Sequence, residues 1–278
     1  MSDSYSEVVQ TARDYYNSED ADNFYFHIWG GEDIHIGLYN NDSEEIATAS
    51  RRTVEVIADR LSGIDSNSHI LDIGAGYGGA ARYLARRFGC KVTALNLSEA
   101  ENERNRQKNE EAGLSSLINV VDGSFEAIPA GDASFDAVWS QDAILHSGHR
   151  DTVVAEVARV LKPGGSFIFT DIMQADDADP AALQPVYDRI HLSSLGSLSF
   201  YRAEAAKNGM TEVGFEPMTH QLIRHYTRVG EELERQRGSL EGHVSDGYIE
   251  RMLLGLRAWV QAGKQNQLQW GIAHFKKA

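Results

Sequence analysis

A glycine-rich loop between a short apolar strand and a helix is the feature that most constrains the fold of this 278-residue chain. The strand pattern is His69-Ile-Leu-Asp-Ile73, and Gly74-Ala-Gly76-Tyr-Gly78-Gly79 follows it before a helical pattern begins. Glycines let the backbone turn sharply and approach a ligand closely, and the following helix N-terminus offers N–H groups. The pattern therefore predicts a ligand-binding loop in an α/β protein.

Short strands alternate with helices from residue 69 onward, which indicates a parallel, doubly wound α/β sheet. The predicted strands are 69–73, 91–97, 117–121, 135–140, 166–171, 213–221 and 268–276. The predicted helices are 5–16, 19–28, a longer helix that Ser43 caps, 78–88, 98–112, 150–161, 180–192, 201–208 and a long stretch at 227–263. The last of these predicts a helical insertion between the final two strands. We divide the chain, one domain overall, into parts 1–62, 63–175 and 176–278.

Charge and apolar patterning limit the partners of the chain. It has 41 acidic and 26 basic residues, and a net charge of −15 repels phosphate backbones and anionic lipid. No stretch approaches the roughly 20 apolar residues of a membrane span, and the N-terminus has no signal-peptide pattern. The single cysteine, Cys90, is expected to be a buried structural thiol. We expect a cytoplasmic protein, a monomer or weak homodimer, without nucleic-acid or membrane partners.

Two polar residues near the loop distinguish between nucleotide ligands. The glycines alone do not, because they also fit the dinucleotide pattern G-x-G-x-x-G. Asp72 lies where a pyrophosphate would be repelled, and it suits a ligand with a positive amino group and no phosphates. Asn96 occupies the place, about 20 residues on, where a dinucleotide site has an acid for the ribose. The pattern therefore disfavours a nicotinamide oxidoreductase.

The run from Ile70 to Gly79 resembles the first motif of class I, Rossmann-like S-adenosylmethionine-dependent methyltransferases, which have a seven-stranded sheet. Further motifs of that family follow in order: Val92–Ser98, Asp122–Phe125, Trp139–Asp142 and Val160–Gly165. The resemblance implies S-adenosylmethionine as the cofactor, with its ribose near Asn96 and Leu97 and its adenine near Asp122 and Ser124. The cofactor-binding residues that it implies are Asp72, Gly74, Gly76, Asn96, Leu97, Asp122, Gly123, Ser124, Phe125 and Gln141.

Longer segments resemble sarcosine/dimethylglycine N-methyltransferases, which make glycine betaine. Phe24–Tyr39 resembles their N-terminal lid, and Asn96–Arg106 and Ser140–His146 agree as well. The resemblance implies that residues 1–62 form a helical lid, 63–175 the cofactor-binding core, and 176–278 the rest of the core with a substrate-binding insertion. More distantly, the chain is similar to phosphoethanolamine methyltransferases, where a tyrosine and a histidine close the site. Tyr16, beside Tyr15, and His146 would fill those catalytic roles.

The chemistry of amine methylation makes further residues candidates. Methyl transfer from a sulfonium is an in-line displacement, and a histidine can accept the proton of the amine. Aromatic faces attract quaternary ammonium groups, so Tyr25 and Trp29, with Tyr39 as a third candidate, are predicted to contact the substrate. A bidentate arginine suits a substrate carboxylate. The candidates are Arg189, which we select, Arg202 and Arg224.

Several features receive no role, and several alternatives stay open. No metal site is predicted, because His220 and His225 lack a metal-ligand spacing on a helix. One face of the helix 98–112 is interpreted as solvated; it contains Glu99, Glu101, Glu103, Arg104, Arg106 and Lys108. The alternatives are a phosphoethanolamine or phosphobase methyltransferase, a sterol or fatty-acyl carbon methyltransferase, and a cofactor-binding module without catalysis. The acidic N-terminal part lacks the basic cluster that a phosphate needs.

Overall fold

Seven strands form one sheet in a computed structural model that describes residues 7–29, 31–189, 194–240 and 242–278. Their order is β3-β2-β1-β4-β5-β7-β6, and β7 runs antiparallel to both of its neighbours, whereas the other described strands are parallel. The strands are β1 (His69–Ile73), β2 (Lys91–Asn96), β3 (Ile118–Asp122), β4 (Phe135–Gln141), β5 (Leu161–Gln174), β6 (Met210–Pro217) and β7 (Leu268–Lys277). The predicted seven-stranded, doubly wound sheet is confirmed, with β7 as the departure from the parallel pattern.

Helices cover both faces of this sheet. Val54 and Leu84 belong to a buried cluster on one face, and Val153 and Tyr201 belong to a cluster on the other. The helices are α1 (Glu7–Tyr16), α2 (Glu19–Ile28), α3 (Ile46–Ala58), α4 (Gly79–Phe88), α5 (Glu99–Glu111), α6 (Arg150–Val160), α7 (Pro180–Arg189), α8 (Leu198–Lys207), α9 (Thr219–Gln236) and α10 (Asp246–Lys264). Short 3₁₀ turns lie at Ile144–His146 and Arg237–Leu240. Cys90 is buried, as expected of a structural thiol.

The predicted helical stretch at 227–263 consists of two helices, α9 and α10, which pack against each other, and it begins earlier than predicted, at Thr219. A 3₁₀ turn and Gly242, with a φ of 82°, interrupt the stretch, and the Ser245 side chain then caps α10 by accepting from the Tyr248 N–H. The predicted strand 213–221 is also misplaced, since β6 ends at Pro217 and α9 begins at Thr219. Both helices do lie between β6 and β7, so the predicted helical insertion before the last strand is confirmed.

The predicted cap of α3 is wrong as well. Ser43 donates its hydroxyl to Asn41 Oδ1 at 2.9 Å, and the helix begins at Ile46 after Glu45. Glu44 accepts the Asn40 N–H at 2.9 Å and pairs with Arg52. These polar side chains therefore stabilise the turn before α3 and do not cap the first N–H groups of the helix.

Residues 31–39, which we call the lid segment, connect α2 to the turn before α3 and cross the carboxyl edge of the sheet. The Ile36 N–H donates to Asp142 Oδ2 just after β4 at 2.8 Å. Farther along, the Gly37 N–H donates to His225 Nδ1 and the Tyr39 N–H to Gln221 Oε1, both on α9. The lid segment is thus held between the core and the helical insertion.

Candidate functional site

A pocket at the carboxyl ends of β1, β2, β3 and β4, which we call the cofactor pocket, collects most of the predicted cofactor-binding residues. Of the ten predicted, eight line it: Gly74, Gly76, Asn96, Leu97, Gly123, Ser124, Phe125 and Gln141. No role was predicted for the other residues of its lining, which are Ile34, Glu101, Asp142 and Ala143. His146 also lines this pocket. The motif order in the sequence therefore corresponds to one contiguous surface.

The glycine loop is shaped by its protein neighbours as well as by a ligand. Gly74 has a φ of 76°, and a Cβ atom there would lie 2.3 Å from the Cβ of Ala143. A Cβ at Gly79, the first residue of α4, would lie 2.1 Å from Asp33 Oδ1 of the lid segment. These positions need glycine because two other segments press against the loop.

Asp122 does not line the cofactor pocket. Its carboxylate accepts from Asn102 Nδ2 at 2.9 Å and from Arg106 Nη2 at 2.6 Å, and its side chain is about half exposed. These bonds tie the end of β3 to α5. The structure thus brings Ser124, but not Asp122, to the surface predicted for adenine.

Glu101 lies inside the cofactor pocket, so its interpretation as part of a solvated helix face is wrong. It is 4% exposed, and Glu101 Oε2 accepts from Asn96 Nδ2 at 2.8 Å. Ser98 caps α5 by accepting the Glu101 N–H at 3.2 Å. The Ser-x-x-Glu spacing of a capping box was the available sign that this glutamate turns back toward the helix start. A buried carboxylate beside Asn96 suits the hydroxyl groups of a ribose.

Asp72 lines a smaller cavity that adjoins the cofactor pocket and shares Gly74 with it. The carboxyl group is 2% exposed, and its Oδ2 atom has no hydrogen-bond partner among the described residues. Burial, followed by the nearby Asp33 charge, raises the pKa of Asp72 to about 7. A buried carboxylate of this kind fits the positive amino group of S-adenosylmethionine.

A second pocket, which we call the aromatic pocket, lies next to the cofactor pocket on the lid side. The predicted residues Tyr25 and Trp29 line it, and Tyr226 of α9 adds a third ring. His146 and Asp142 line both pockets. The remaining lining residues are Ile34, His35, Ile36, Leu145, Ile172 and His225. His146 therefore stands where a methyl donor in one pocket would meet an acceptor in the other.

Asp142 holds the boundary between the two pockets in a strained conformation. Its φ is 50°, a left-handed value that costs free energy for a residue other than glycine. Its carboxylate accepts the Ile36 N–H at 2.8 Å through Oδ2 and the Trp270 Nε1–H at 2.7 Å through Oδ1. Desolvation raises its pKa. The residue thus fixes the lid segment on the core, a role that its sequence motif did not indicate.

His225 was considered in the sequence only as a metal ligand, and its spacing from His220 excluded that role. In the structure it is fully buried and lines the aromatic pocket. The backbone N–H of Gly37 donates to its Nδ1 atom at 3.2 Å, and the Tyr39 hydroxyl lies 2.9 Å from the same atom. Because a backbone N–H can only donate, Nδ1 is an acceptor and the neutral ring carries its proton on Nε2. Tyr39 therefore acts on the pocket through His225.

Two predicted site residues, Tyr16 and Arg189, have side chains outside the described part of the chain. Tyr15, next to Tyr16, places its hydroxyl 3.0 Å from that of Tyr248 and 3.4 Å from that of Tyr25. The helix of both tyrosines, α1, contacts the 3₁₀ turn that ends at His146.

The other two arginine candidates are engaged away from the aromatic pocket. Arg202 pairs with Glu212 at 2.7 Å. Arg224 pairs with Asp42 at 2.8 Å and donates to the Tyr39 carbonyl. Neither lines the aromatic pocket, so neither is placed to bind a substrate carboxylate there. Within the described ranges, no cluster of His, Cys, Asp and Glu suits a metal ion, and no helix is long and apolar enough to span a membrane.

Comparisons with known proteins show which family the chain belongs to. Residues 71–169 match the family model of a methyltransferase domain. A sarcosine/dimethylglycine N-methyltransferase of Halorhodospira halochloris is 58% identical over 98% of this chain and 97% of its own length. One of Aphanothece halophytica is 51% identical over 97% of this chain and 98% of its own.

A solved structure extends the agreement to the fold. It is assigned to a sarcosine dimethylglycine methyltransferase of Galdieria sulphuraria and is 43% identical to this chain. It superposes with a TM-score of 0.91 over 95% of this chain and 99% of its own. By these likenesses over nearly its whole length, the chain belongs to the sarcosine/dimethylglycine N-methyltransferase family of S-adenosylmethionine-dependent enzymes.

Proposed function

We propose that the protein transfers methyl groups to the nitrogen of sarcosine and dimethylglycine and so produces glycine betaine. The observation that carries the proposal is the position of His146, which lines both the cofactor pocket and a neighbouring pocket with aromatic walls. When bound, S-adenosylmethionine supplies an electrophilic methyl group on a sulfonium. Alignment of the amine with that methyl group and exclusion of water are then the main tasks of the protein.

The cofactor pocket offers groups that match each part of the cofactor. We assign Asp72 to the amino group, Asn96, Leu97 and Glu101 to the ribose, and Ser124 to the adenine. The glycine loop supplies close backbone approach, and the other predicted contacts on this surface are Gly74, Gly76, Gly123, Phe125 and Gln141. Asp122 acts indirectly, because its hydrogen bonds to Asn102 and Arg106 hold the loop that contains Ser124.

The aromatic pocket suits an amine that becomes more methylated. Tyr25, Trp29 and Tyr226 present rings, and ring faces attract quaternary ammonium groups. His146 accepts the proton that the attacking amine must lose, directly or through a water, at a ring nitrogen. We assign Tyr16 to close the site with His146, which the contact between α1 and the His146 turn supports.

The substrate carboxylate is assigned to Arg189, at the end of α7. The proton on Nε2 of His225 provides a second, fixed donor in the wall of the same pocket. We also propose that residues 1–62 form the lid, 63–175 the cofactor-binding core, and 176–278 the part with the substrate-binding insertion.

A phosphobase as the acceptor receives no support from the aromatic pocket. None of the described residues in its wall is a lysine or an arginine, and Asp142 is part of that wall. Arg189 alone would balance the single charge of a carboxylate, whereas the second charge of a phosphate would be left without a cation and opposite an acid. The net charge of −15 likewise supports an enzyme that binds neither nucleic acid nor anionic membranes, and we place it in the cytoplasm as a monomer or weak homodimer.

The test is a methyl-transfer assay with S-adenosylmethionine and four acceptors, with the products identified by mass. The acceptors are glycine, sarcosine, dimethylglycine and phosphoethanolamine. Formation of betaine from both sarcosine and dimethylglycine is the expected result. Activity on phosphoethanolamine alone would overturn the substrate, and inactivity on all four with the cofactor still bound would favour the binding module.

A further inference from the structure

The smaller cavity beside the cofactor pocket collects four buried polar atoms that have no hydrogen-bond partner within the described protein. They are Asp33 Oδ1, His35 Nε2, Asp72 Oδ2 and Gln141 Nε2, and each side chain is at least nine-tenths buried. The cavity has a volume of about 30 Å³, whereas a single water needs about 10–15 Å³ measured in the same way. Because buried polar atoms almost always have a partner, four such atoms around one cavity indicate a polar ligand.

Three of these atoms are hydrogen-bond acceptors. Two belong to the carboxyl groups of Asp33 and Asp72. The third is His35 Nε2, because Nδ1 lies 3.2 Å from the carbonyl oxygen of Ile36 and must donate to it. Burial lowers the pKa of His35 to about 4, so the ring is neutral and Nε2 keeps its lone pair. Three acceptors match an ammonium group, which has three N–H donors.

The fourth atom is a donor. Gln141 Oε1 accepts from the Trp139 Nε1–H at 3.0 Å, and this bond orients the side-chain amide so that its NH₂ group is left for the cavity. An NH₂ group beside an ammonium site suits a carboxylate. The cavity also shares Ile34, Gly74 and Gln141 with the cofactor pocket. The ligand that fits is therefore an α-amino acid end attached to a group in the cofactor pocket.

Two contacts hold the Asp33 side chain in this position. Its Oδ2 atom pairs with Arg51 at 2.9 Å, which leaves Oδ1 on the cavity side. Its Oδ1 atom lies where a Cβ of residue 79 would be, at 2.1 Å, so only a glycine at the start of α4 admits it. The Asp33 side chain therefore packs closely against Gly79, and this contact fixes the lid segment on the glycine loop.

We propose that Asp33 and His35 of the lid segment bind the methionine end of the cofactor. Together with Asp72 they accept the three N–H groups of its α-ammonium, while Gln141 donates to its α-carboxylate. This inference rests on the proposed function in its choice of cofactor. It adds that the lid segment contacts the cofactor directly, so that one ligand joins residues of the lid to residues of the core.

The test is titration calorimetry with two ligands that differ only in the end in question. S-adenosylhomocysteine has the amino acid end, whereas 5′-methylthioadenosine retains the adenine, ribose and thioether without it. Asp33→Asn is expected to weaken S-adenosylhomocysteine binding about tenfold or more, because a charge-assisted hydrogen bond is lost. Binding of 5′-methylthioadenosine is expected to change less than about twofold, since it makes no such bond.

The matched control is Glu44→Gln. Glu44 lies in the turn after the lid segment and also pairs with an arginine, Arg52, but it does not line the cavity. Both affinities should stay as in the wild-type protein. If Asp33→Asn does not fold, His35→Gln and Gly79→Ala are measured with the same two ligands and the same expectation.

Equal losses for the two ligands, or an unchanged affinity for S-adenosylhomocysteine, would overturn the proposal and leave water as the cavity's only occupant. The outcome is distinct from failure of the proposed function. A wild-type protein that binds S-adenosylhomocysteine but methylates none of the four acceptors would refute the substrate and leave the cavity assignment intact.

Discussion

The cofactor pocket and the aromatic pocket share a wall but are built in different ways. The cofactor pocket is made where neighbouring strands of one sheet end, so each of its loops follows its strand directly in the chain. The aromatic pocket takes Tyr25 from α2, Ile36 from the lid segment and Tyr226 from α9, which are far apart in sequence. The first pocket depends on the core that methyltransferases have in common, and the second on helices that surround it.

Among the residues that the structure describes, only those at the boundary belong to both pockets. Asp142 and His146, at the end of β4 and in the following 3₁₀ turn, line each of them together with Ile34. Changes on either side of this boundary should therefore affect cofactor affinity and acceptor chemistry separately. Changes at the boundary show whether the two functions are truly separable.

The largest effect is expected for His146→Ala. Loss of the proposed proton acceptor should lower kcat by about 10²- to 10⁴-fold, while the Kd of S-adenosylmethionine, from calorimetry, stays within about threefold. His149→Ala is the control, because His149 is exposed and three residues away. Comparable losses in turnover and cofactor affinity would show that His146 supports the pocket rather than the chemistry.

Asp72→Asn should weaken binding of S-adenosylhomocysteine by about 10- to 100-fold and, in contrast, stabilise the free protein. The pKa of Asp72 is raised to about 7 from 3.8, so above pH 7 the folded protein bears a buried, unfavourable charge. That cost becomes smaller as the pH falls through 7, and it disappears only below pH 3.8, where the group is protonated in the unfolded chain as well. We expect the variant to be more stable by about 1–3 kcal/mol at pH 8, with a clearly smaller gain at pH 5.

Urea unfolding of the ligand-free variant at both pH values measures this effect. Asp132→Asn, a surface acid paired with Arg159, is the control and should show no such gain. A variant that is less stable than the wild type at pH 8 would mean that Asp72 has a structural partner after all.

The same contrast explains how much the sequence could predict. The glycine loop and the strand ends were predictable because an apolar strand, a glycine cluster and a helix follow one another within a few residues. By contrast, His225 lies next to Gly37 through a hydrogen bond that spans 188 positions in the chain. Asp142 reaches Ile36 and Trp270, which lie 106 positions before it and 128 after it. No local pattern encodes such pairs.

Glu101 was missed for a different reason. Helix α5 is polar throughout its length, so the usual apolar stripe gives no sign of a buried face. Its buried side is made of Glu101 and three asparagines at helical spacing: Asn102, Asn105 and Asn109. Two of these, Asn105 and Asn109, accept from the buried Arg82. A periodic row of asparagines is thus the pattern that indicates this face.

Trp29→Leu should affect mainly the aromatic pocket. Removal of one ring face is expected to raise the KM for dimethylglycine by about 5- to 30-fold, since a desolvated cation–π contact contributes about 1–2 kcal/mol. Cofactor affinity should change far less than the KM, because Trp29 does not line the cofactor pocket and its indole N–H contacts only the backbone carbonyl of His35. Trp29→Phe keeps an aromatic face and should recover most of the loss. A Phe variant as impaired as the Leu variant would indicate that the indole N–H, which donates to the His35 carbonyl, is what matters.

The smallest effect is a pH-dependent proton exchange on cofactor binding, which tests how closely the lid and core acids cooperate. Burial raises the pKa of Asp33 to about 6, opposed by Arg51 and Arg82 and assisted by Glu32, and the pKa of Asp72 is about 7. An ammonium bound between these carboxyl groups lowers both pKa values, so binding at pH 6.5 should release up to about one proton.

Above pH 8, cofactor binding should take up protons instead of releasing them. Both carboxyl groups are already ionised there. The free α-amino group of S-adenosylmethionine, taken at the ordinary α-amino pKa of about 7.7–8.0, must gain a proton to bind. Calorimetry in buffers of different ionisation enthalpy measures the proton number, and Asp33→Asn should reduce the release at pH 6.5 without altering the uptake at pH 8.5. Release of equal size at both pH values would place the ammonium outside the cavity, and the lid and core would then bind the cofactor independently.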